Sequence, residues 1–397
     1  MTERHISNRR RGASNGPSKS AGHYVRRFGH YLTHTGALSD RLFGRSGLFT
    51  RCALDRAAFS DKPLKVLHLA LTPLAGAPIR LSRLLETSPD ISSILVSRRQ
   101  WYDDGRAFAH DIVYETGSLF NNRGAVRRLI DECDLVHFHN EAFLAGYGVF
   151  RGLPDDKPWC VQWHSGPDHI AAQAEVPAES LVAFDDWPTL VVAQKQARFY
   201  PSAAPVPNAI DIRAPELSPA ERPADRLDVC YAHTDPPMPT AALCGDKGQA
   251  EVLPLLQKLR REPPPSLRVH IIQGVPLDQC LRIKRRCHVC IDDVKSGGYH
   301  LNSLEALSVG SVAVAHLDEQ MRSFLCEFTG CTPDELPWLD ATADTLETCL
   351  RDLAADPERV RELGRRSRRW METCWNPGIV IGHYRDAYNR VLNTRPR

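Results

Sequence analysis

Residues 64–85 read LKVLHLALTPLAGAPIRLSRLL, and this stretch decides the fold. Its first seven residues form a mostly apolar run, which is typical of a strand buried inside a parallel sheet. Small residues around Gly76 then indicate a turn, and apolar residues from Ile79 to Leu85 recur at helical spacing. A strand, a short turn and a helix in this order predict the start of an α/β domain with a parallel sheet.

The same alternation of strands and helices continues along the chain and is interrupted once. Between Pro205 and Arg226 lie five prolines with little hydrophobic periodicity. We interpret this tract as a linker between two Rossmann-like domains, and a long loop is the alternative. The other predicted strands are 93–96, 134–139, 159–164 and 189–193 before the tract, and 227–232, 268–273, 289–292 and 311–315 after it.

Length and composition fit two ordinary globular domains. The chain has 397 residues, of which 42% are hydrophobic and 25% charged, so fibrous and membrane-embedded classes are excluded. Its 12 cysteines are scattered and no apolar signal core is evident, which argues against a secreted disulfide scaffold. We expect a cytoplasmic protein.

The N-terminal residues differ from the rest in charge. Residues 1–62 hold twelve Lys or Arg against four Asp or Glu, in a context rich in Ser, Gly and Asn. Such a segment buries too little apolar surface to fold, so we predict a flexible basic leader. One hypothesis is that residues 1–60 contact anionic lipid at the inner face of the membrane, and the alternative is a solvated tail.

Ligands of open α/β sheets bind beyond the carboxyl ends of the strands, so the turns there are candidate sites. Gly76 would let backbone amides approach a phosphate or sugar, although the turn lacks the three-glycine fingerprint of dinucleotide binding. His137 and His139 in one predicted strand, and His164 at the end of the next, would face one cleft. A structural role is an alternative for each of them. His164, followed by Ser165 at a break into a loop, is the favoured site residue.

Two turns of the second half suit an anionic ligand. Lys247 in GDKG (245–248) opens a helix, where its charge would suit a diphosphate, although a surface lysine is the alternative. The stretch GGYHLNSLEALSVG (297–310) is a glycine-rich turn leading into a helix with Glu305 near its start. Its amides suit a diphosphate, and the Glu305 carboxylate suits a ribose diol. The alternative for Glu305 is favourable interaction with the helix dipole.

Cys287, His288 and Cys290 are residue types that can bind a metal ion. No second pair of cysteines follows at a suitable spacing, and the stretch runs directly into a predicted strand. We therefore predict no metal site and no cofactor.

Taken together, six stretches resemble glycosyltransferase family 4, a retaining family of GT-B fold, and the resemblance covers roughly residues 64–392. The family has a similar first strand and glycine loop, a similar Asp-x-x-His-x-His strand, a similar Asn-x-x-Asp segment, a Lys-Gly turn, a donor-binding turn with its helix, and a terminal helix. The matching stretches here are VLHLALTPLAGAP (66–78), DLVHFHN (134–140), VVAQKQARFYPSAAPVPNAID (191–211), GDKG (245–248), GGYHLNSLEALSVGSVAVA (297–315) and WNPGIVIGHYRDAYNRVL (375–392).

The resemblance implies an α/β protein of GT-B fold, with two Rossmann-like parallel-sheet domains facing a cleft. It implies transfer of a sugar, with retention and without a metal, from a nucleotide-sugar donor to a glycan, lipid-linked or small-molecule acceptor; nucleic acid is not expected as a partner. The predicted organisation is a leader (1–62), an N-terminal acceptor domain (63–207), a linker (208–226), a C-terminal donor domain (227–375) and a terminal helix that crosses back to the N-terminal domain (376–397).

Site residues follow from the same resemblance. Lys247 is expected to hold the donor diphosphate, Glu305 the nucleotide ribose, and His164 to lie near the transferred sugar. The remaining expected donor-binding residues are Gly76, Gly298, Tyr299, Asn302 and Ser303.

Two departures from the family pattern support a second hypothesis. The usual first glutamate, eight positions before Glu305, is Gly297, and residues 239–244 lack the usual arginine. These losses raise the alternative of a catalytically impaired GT-B-like binding or accessory protein. A nucleotide-sugar epimerase would fit the architecture, but it needs a set of acids and bases that the sequence does not reveal.

Overall fold

The structure is a computed structural model, and it describes residues 57–70, 74–98, 112–114, 123–140, 156–174, 188–233, 247–264 and 266–393. Within these residues there are two all-parallel sheets, one of seven strands and one of four. The prediction of an α/β protein with two parallel-sheet units is confirmed.

The first sheet is built from residues 64–206 in the order β3-β2-β1-β4-β5-β6-β7. Its strands are β1 (Leu64–Ala70), β2 (Ile91–Arg98), β3 (Ile112–Tyr114), β4 (Leu135–His139), β5 (Trp159–Trp163), β6 (Thr189–Val192) and β7 (Ala204–Val206). The connecting helices are α1 (Ala77–Glu86), α2 (Arg123–Glu132) and α3 (Pro167–Ala174), with short 3-10 helices at Leu74–Gly76 and Lys195–Phe199.

The second sheet has the order β11-β10-β8-β9. Its strands are β8 (Leu227–Ala232), β9 (Leu267–Ile272), β10 (Val289–Ile291) and β11 (Val312–Val314). The helices of this half are α4 (Gln249–Arg261), α5 (Leu277–Arg286), α6 (Leu301–Ser308), α7 (Glu319–Thr329), α8 (Leu346–Ala355), α9 (Pro357–Cys374) and α10 (Pro377–Asn393), with 3-10 helices at Pro215–Leu217 and Pro333–Glu335.

A shared apolar core joins the two sheets. One cluster of buried residues includes Val66 of β1, Cys230 of β8, Ala313 of β11 and Tyr384 of α10. The Tyr384 hydroxyl also lies 3.1 Å from the side-chain amide of Gln162 in β5. Helix α10 therefore packs on the first sheet, although it follows the second in sequence.

The described part of the predicted leader packs on the first unit. Ala57 and Phe59 contact its apolar core, and the Ser60 hydroxyl lies 2.8 Å from a carboxylate oxygen of Glu86. Residues 1–56 lie outside the described residues, so the prediction for most of the leader stays a prediction. None of the described helices is long and apolar enough to cross a membrane.

Candidate functional site

The N-terminus of α6 is held by Asp292, which follows β10. Its carboxylate accepts hydrogen bonds from the backbone amides of His300 (2.8 Å) and Ser303 (3.2 Å) and from the Ser303 hydroxyl (2.6 Å). The side-chain amide of Asn302 donates to the Ile291 carbonyl (3.1 Å) and to Asp292 (3.3 Å). The side chains of Asn302 and Ser303, both predicted to bind donor, are thus engaged inside the protein, where they hold the turn against β10.

Three backbone amides of the glycine-rich turn remain available. Among the described residues, the N–H groups of Gly297, Gly298 and Tyr299 donate to no acceptor. Gly297 has φ +78°, and a Cβ added there would lie 2.4 Å from a carboxylate oxygen of Asp318. Only glycine fits at this position, and the turn presents unpaired amides at the positive end of α6.

The Tyr299 side chain points into the core. Its hydroxyl donates to the Ala193 carbonyl at 2.5 Å, and its ring packs on Trp338 with ring centres 4.8 Å apart. Burial raises the pKa of this hydroxyl. Because the side chain joins the two units, only the backbone of Tyr299 is left to contact a ligand.

Asp293 orders the loop that precedes the turn. Its carboxylate accepts hydrogen bonds from the amides of Lys295 (3.0 Å) and Ser296 (2.7 Å), and it lies 3.0 Å from Nε2 of His300. Burial alone would raise the pKa of Asp293, but the hydrogen bonds and the charge of His300 hold it well below its usual range. The carboxylate stays charged and fixes residues 293–300 as one loop.

Lys247 lies beside this loop, at the start of α4. Its carbonyl accepts a hydrogen bond from the Val294 amide at 3.3 Å, and Gly248, with φ +86°, forms the N-cap of α4. Burial lowers the pKa of His300, and the Lys247 charge lowers it further. Lys247 forms no ion pair with any residue that the structure describes. The structure brings Lys247 and the glycine-rich turn to the same end of the second sheet.

Glu305 is buried and is bound by two cations. One carboxylate oxygen lies 2.5 Å from a guanidinium nitrogen of Arg80, and the other contacts the Lys284 ammonium. Burial alone would raise the pKa of Glu305, but Lys284 and Arg80 lower it below its usual value. Glu305, which was predicted to bind the ribose, is therefore already neutralised by two cations in this structure.

Sequence reasoning missed both partners of Glu305. Arg80 belongs to the first unit, on α1 one turn after Gly76, which has φ +81° and forms the N-cap of that helix. Arg80 and Glu305 are 225 positions apart, and Lys284 lies on α5 in the second unit. The sequence shows Arg80 only as a basic residue on the amphipathic helix α1, and nothing in that local pattern identifies Glu305 as its partner.

A second ion pair also joins the two units. The Arg198 guanidinium, in the 3-10 helix after β6, donates to both carboxylate oxygens of Asp318, at 2.9 and 3.1 Å. Asp318 also caps α7 by accepting from the Met321 amide at 2.8 Å. This is the carboxylate that occupies the space in front of Gly297.

Four histidines form a cluster at the carboxyl ends of β1, β4 and β5. Nε2 of His164 lies 2.9 Å from Nδ1 of His139, and Nε2 of His139 lies 3.1 Å from Nδ1 of His68. Nδ1 of His137 lies 2.9 Å from the Tyr388 hydroxyl. Burial lowers the pKa of His68 and of His164 to about 3 in each case, so these imidazoles are neutral.

Comparisons with known proteins report the fold. No protein-family model matches the chain, and no curated protein matches it. Among solved structures it is similar to sucrose-phosphate synthase from Thermosynechococcus elongatus, with 13% identity and a TM-score of 0.53 over 83% of this chain and 99% of that chain. It is also similar to Anabaena HepE in complex with UDP, with 14% identity and a TM-score of 0.54 over 82% of this chain and 100% of that chain. At this identity the likeness concerns the fold alone, and the chain has the GT-B fold.

Proposed function

We propose that this protein is a glycosyltransferase, similar to family 4, that takes its sugar from a nucleotide-sugar donor. The observation that carries the proposal is the convergence of Lys247 with the unpaired amides of residues 297–299 at the carboxyl end of the second sheet. In an open parallel sheet this end is where ligands bind. The complex of Anabaena HepE with UDP supports the choice of donor class.

The proposed chemistry is stabilisation of the leaving nucleoside diphosphate. Negative charge builds on the phosphate oxygens as the sugar departs, and fixed amides with one ammonium group stabilise that charge. This arrangement needs no metal ion at the diphosphate. The acceptor would be a glycan, a lipid-linked molecule or a small molecule, and the family resemblance favours retention.

Two residues act at the edges of this site in the proposal. His164 follows β5 and lies near the transferred sugar, where its neutral ring holds a hydroxyl. Glu305 binds the ribose when Arg80, on the other unit, moves away from it. Movement of the two units relative to each other would thus let the ribose replace Arg80 as the partner of the Glu305 carboxylate.

Membrane contact remains part of the proposal. We place the protein in the cytoplasm, held peripherally on anionic lipid through residues 1–60. The excess of basic residues in that segment supports this placement.

A catalytically impaired binding protein is the second candidate, and specific contacts favour it. Gly297 replaces a family glutamate, Asp318 fills the adjacent space, and both oxygens of Glu305 are bound by cations. Such a protein would bind the nucleotide without turning over the donor.

Release of nucleoside diphosphate separates the two candidates. The full chain is incubated with a panel of nucleotide sugars and with glycan and lipid-linked acceptors, and free diphosphate is measured. We expect acceptor-dependent release, reduced in His164→Ala. Donor binding without release under any acceptor would favour the impaired protein, and sugar isomerisation without an acceptor would favour an epimerase.

A further inference from the structure

Three fully buried histidines of the first sheet have no role in the proposed transfer. His68 lies on β1, and His137 and His139 lie on β4, all with no exposed surface. Strand register explains their meeting, because His68 is paired with His137, and His139 is two residues further along on the same face. One nitrogen from each ring lies within 4.8 Å of the other two.

The hydrogen bonds of the cluster fit one set of proton positions. If His137 carries its proton on Nδ1, it donates to the Tyr388 hydroxyl at 2.9 Å. If His139 and His68 also carry protons on Nδ1, they donate to His164 and His139 respectively. Every observed contact then has one donor and one acceptor. Nε2 of His139 is the acceptor from His68, whereas the Nε2 lone pairs of His68 and His137 stay free.

Two of these lone pairs have no protein partner. Nε2 of His68 and Nε2 of His137 are buried and form no hydrogen bond among the described residues. Buried polar atoms are normally satisfied, because an unsatisfied one costs free energy. Two such atoms beside a third imidazole are what a bound ion would satisfy.

We propose that His68, His137 and His139 bind a divalent transition-metal ion, with Zn²⁺ as the favoured ion. Neutral imidazoles are good zinc ligands, and a set of three leaves a further coordination position. Because the three nitrogens lie up to 4.8 Å apart, each would move inward by up to about 0.7 Å to surround an ion at the usual Zn–N distance near 2.1 Å.

Two neighbours position the ligands. His164 accepts from Nδ1 of His139, and the Tyr388 hydroxyl accepts from Nδ1 of His137, which leaves Nε2 of each ring as its ligand atom. At His139 the ion would replace the hydrogen bond that Nε2 now accepts from His68. No carboxylate of the described residues forms a hydrogen bond with the three ligands, so the ion would keep its charge and favour an anionic further ligand. His164, the partly exposed member, marks the side from which that ligand would enter. The three ligands are separate from Lys247 and the glycine-rich turn of the second sheet, and His164 is the residue that both proposals share.

The test uses the full chain without a histidine tag, stripped of metal and titrated with Co²⁺, then with competing Zn²⁺. We expect one Co²⁺ per chain, with the visible absorption of a nitrogen-ligated site, displaced by Zn²⁺. Absence of binding would overturn the proposal. Intense near-ultraviolet thiolate-to-cobalt absorption would also overturn it, because that signal would place the ion on cysteines.

Variants assign the ligands. His68→Gln and His137→Gln should each weaken Co²⁺ binding by more than about a hundredfold, and Tyr388→Phe by about 10- to 100-fold, as expected for an outer partner. His169→Gln, which changes a buried histidine of α3 outside the cluster, is the matched control and should bind like wild type. Equal affinity in His137→Gln and the control would refute the assignment. Should a ligand variant fail to fold, the spectrum of the wild-type complex still decides between nitrogen and sulfur ligands.

Discussion

Lys284→Met tests the buried cation pair around Glu305. Lys284 is 3% exposed and Glu305 is 4% exposed, so the substitution leaves a buried carboxylate with one cation in place of two. Removing one partner of a buried pair costs about 3 to 5 kcal/mol. We expect about 3 kcal/mol, the lower end, because Arg80 still holds one oxygen of Glu305.

The assay is urea unfolding followed by tryptophan fluorescence. The double variant Lys284→Met with Glu305→Gln should recover most of the loss, because no unpaired charge is then buried. Lys258→Met is the control, since Lys258 pairs with Glu347 at an exposed site and should cost about 0 to 1 kcal/mol. A loss in Lys284→Met no larger than in the control, or a double variant no more stable than the single, would refute the reasoning.

The same comparison has a defined pH dependence. Although burial opposes it, Lys284 and Arg80 lower the pKa of Glu305 below its usual 4.5, so this carboxylate adds stability above pH 4.5 that is lost as the pH falls through the lower folded value. Despite burial, Glu305 raises the pKa of Lys284 above its usual 10.5, and that contribution persists until the pH exceeds 10.5. The difference between wild type and Lys284→Met should be complete at pH 7 and should shrink in acid below pH 4.5.

Three further predictions concern the turn, the first sheet and the leader. His164→Ala should lower kcat more than donor affinity, because a group beside the reacting sugar acts mainly on the transition state; an unchanged kcat in initial-rate assays would make the residue structural. Gly297→Ala should lower the free energy of unfolding by about 1 to 3 kcal/mol, through its positive φ and the contact with Asp318. Gly274 also has a positive φ, +60°, but open space surrounds it. Gly274→Ala should therefore lose only the part of the stability that comes from backbone strain, measured by the same urea unfolding. Deleting residues 1–56, which spares the packed Ser60, should leave the fold intact and reduce salt-sensitive sedimentation with anionic vesicles; unchanged sedimentation would exclude membrane attachment by this segment.

Much of the fold could be predicted because buried parallel strands are recognisable in the sequence as short apolar runs. The predicted strand 227–232 is β8 as observed, and the predicted strand 93–96 lies within β2. The sequence analysis missed β3 and β7, each of three residues. β7 begins at Ala204 and runs into the tract taken as irregular, whose first residue is Pro205. It lies at the edge of the sheet, where proline is tolerated.

The site was less predictable because its contacts depend on tertiary structure. Lys247 and the turn at 297–299 stand out locally, as a lysine and two glycines before helices. The pairing of Glu305 with Arg80 depends on how the two units pack, which no local pattern reports. His68 gave no signal within its apolar run, and only the register of β1 with β4 places it against His137.

Calorimetric titration with UDP, GDP and ADP tests the donor site most directly. Wild type should bind at least one of them, and Lys247→Ala should weaken that binding about ten- to a hundredfold, from the loss of a charge-assisted hydrogen bond of about 1.5 to 3 kcal/mol. The bare nucleoside should bind both proteins alike, and Lys258→Ala, at an exposed lysine of α4, should match wild type. Wild-type diphosphate affinity in Lys247→Ala, or no binding of any nucleoside diphosphate by wild type, would contradict a donor site at this end of the second sheet.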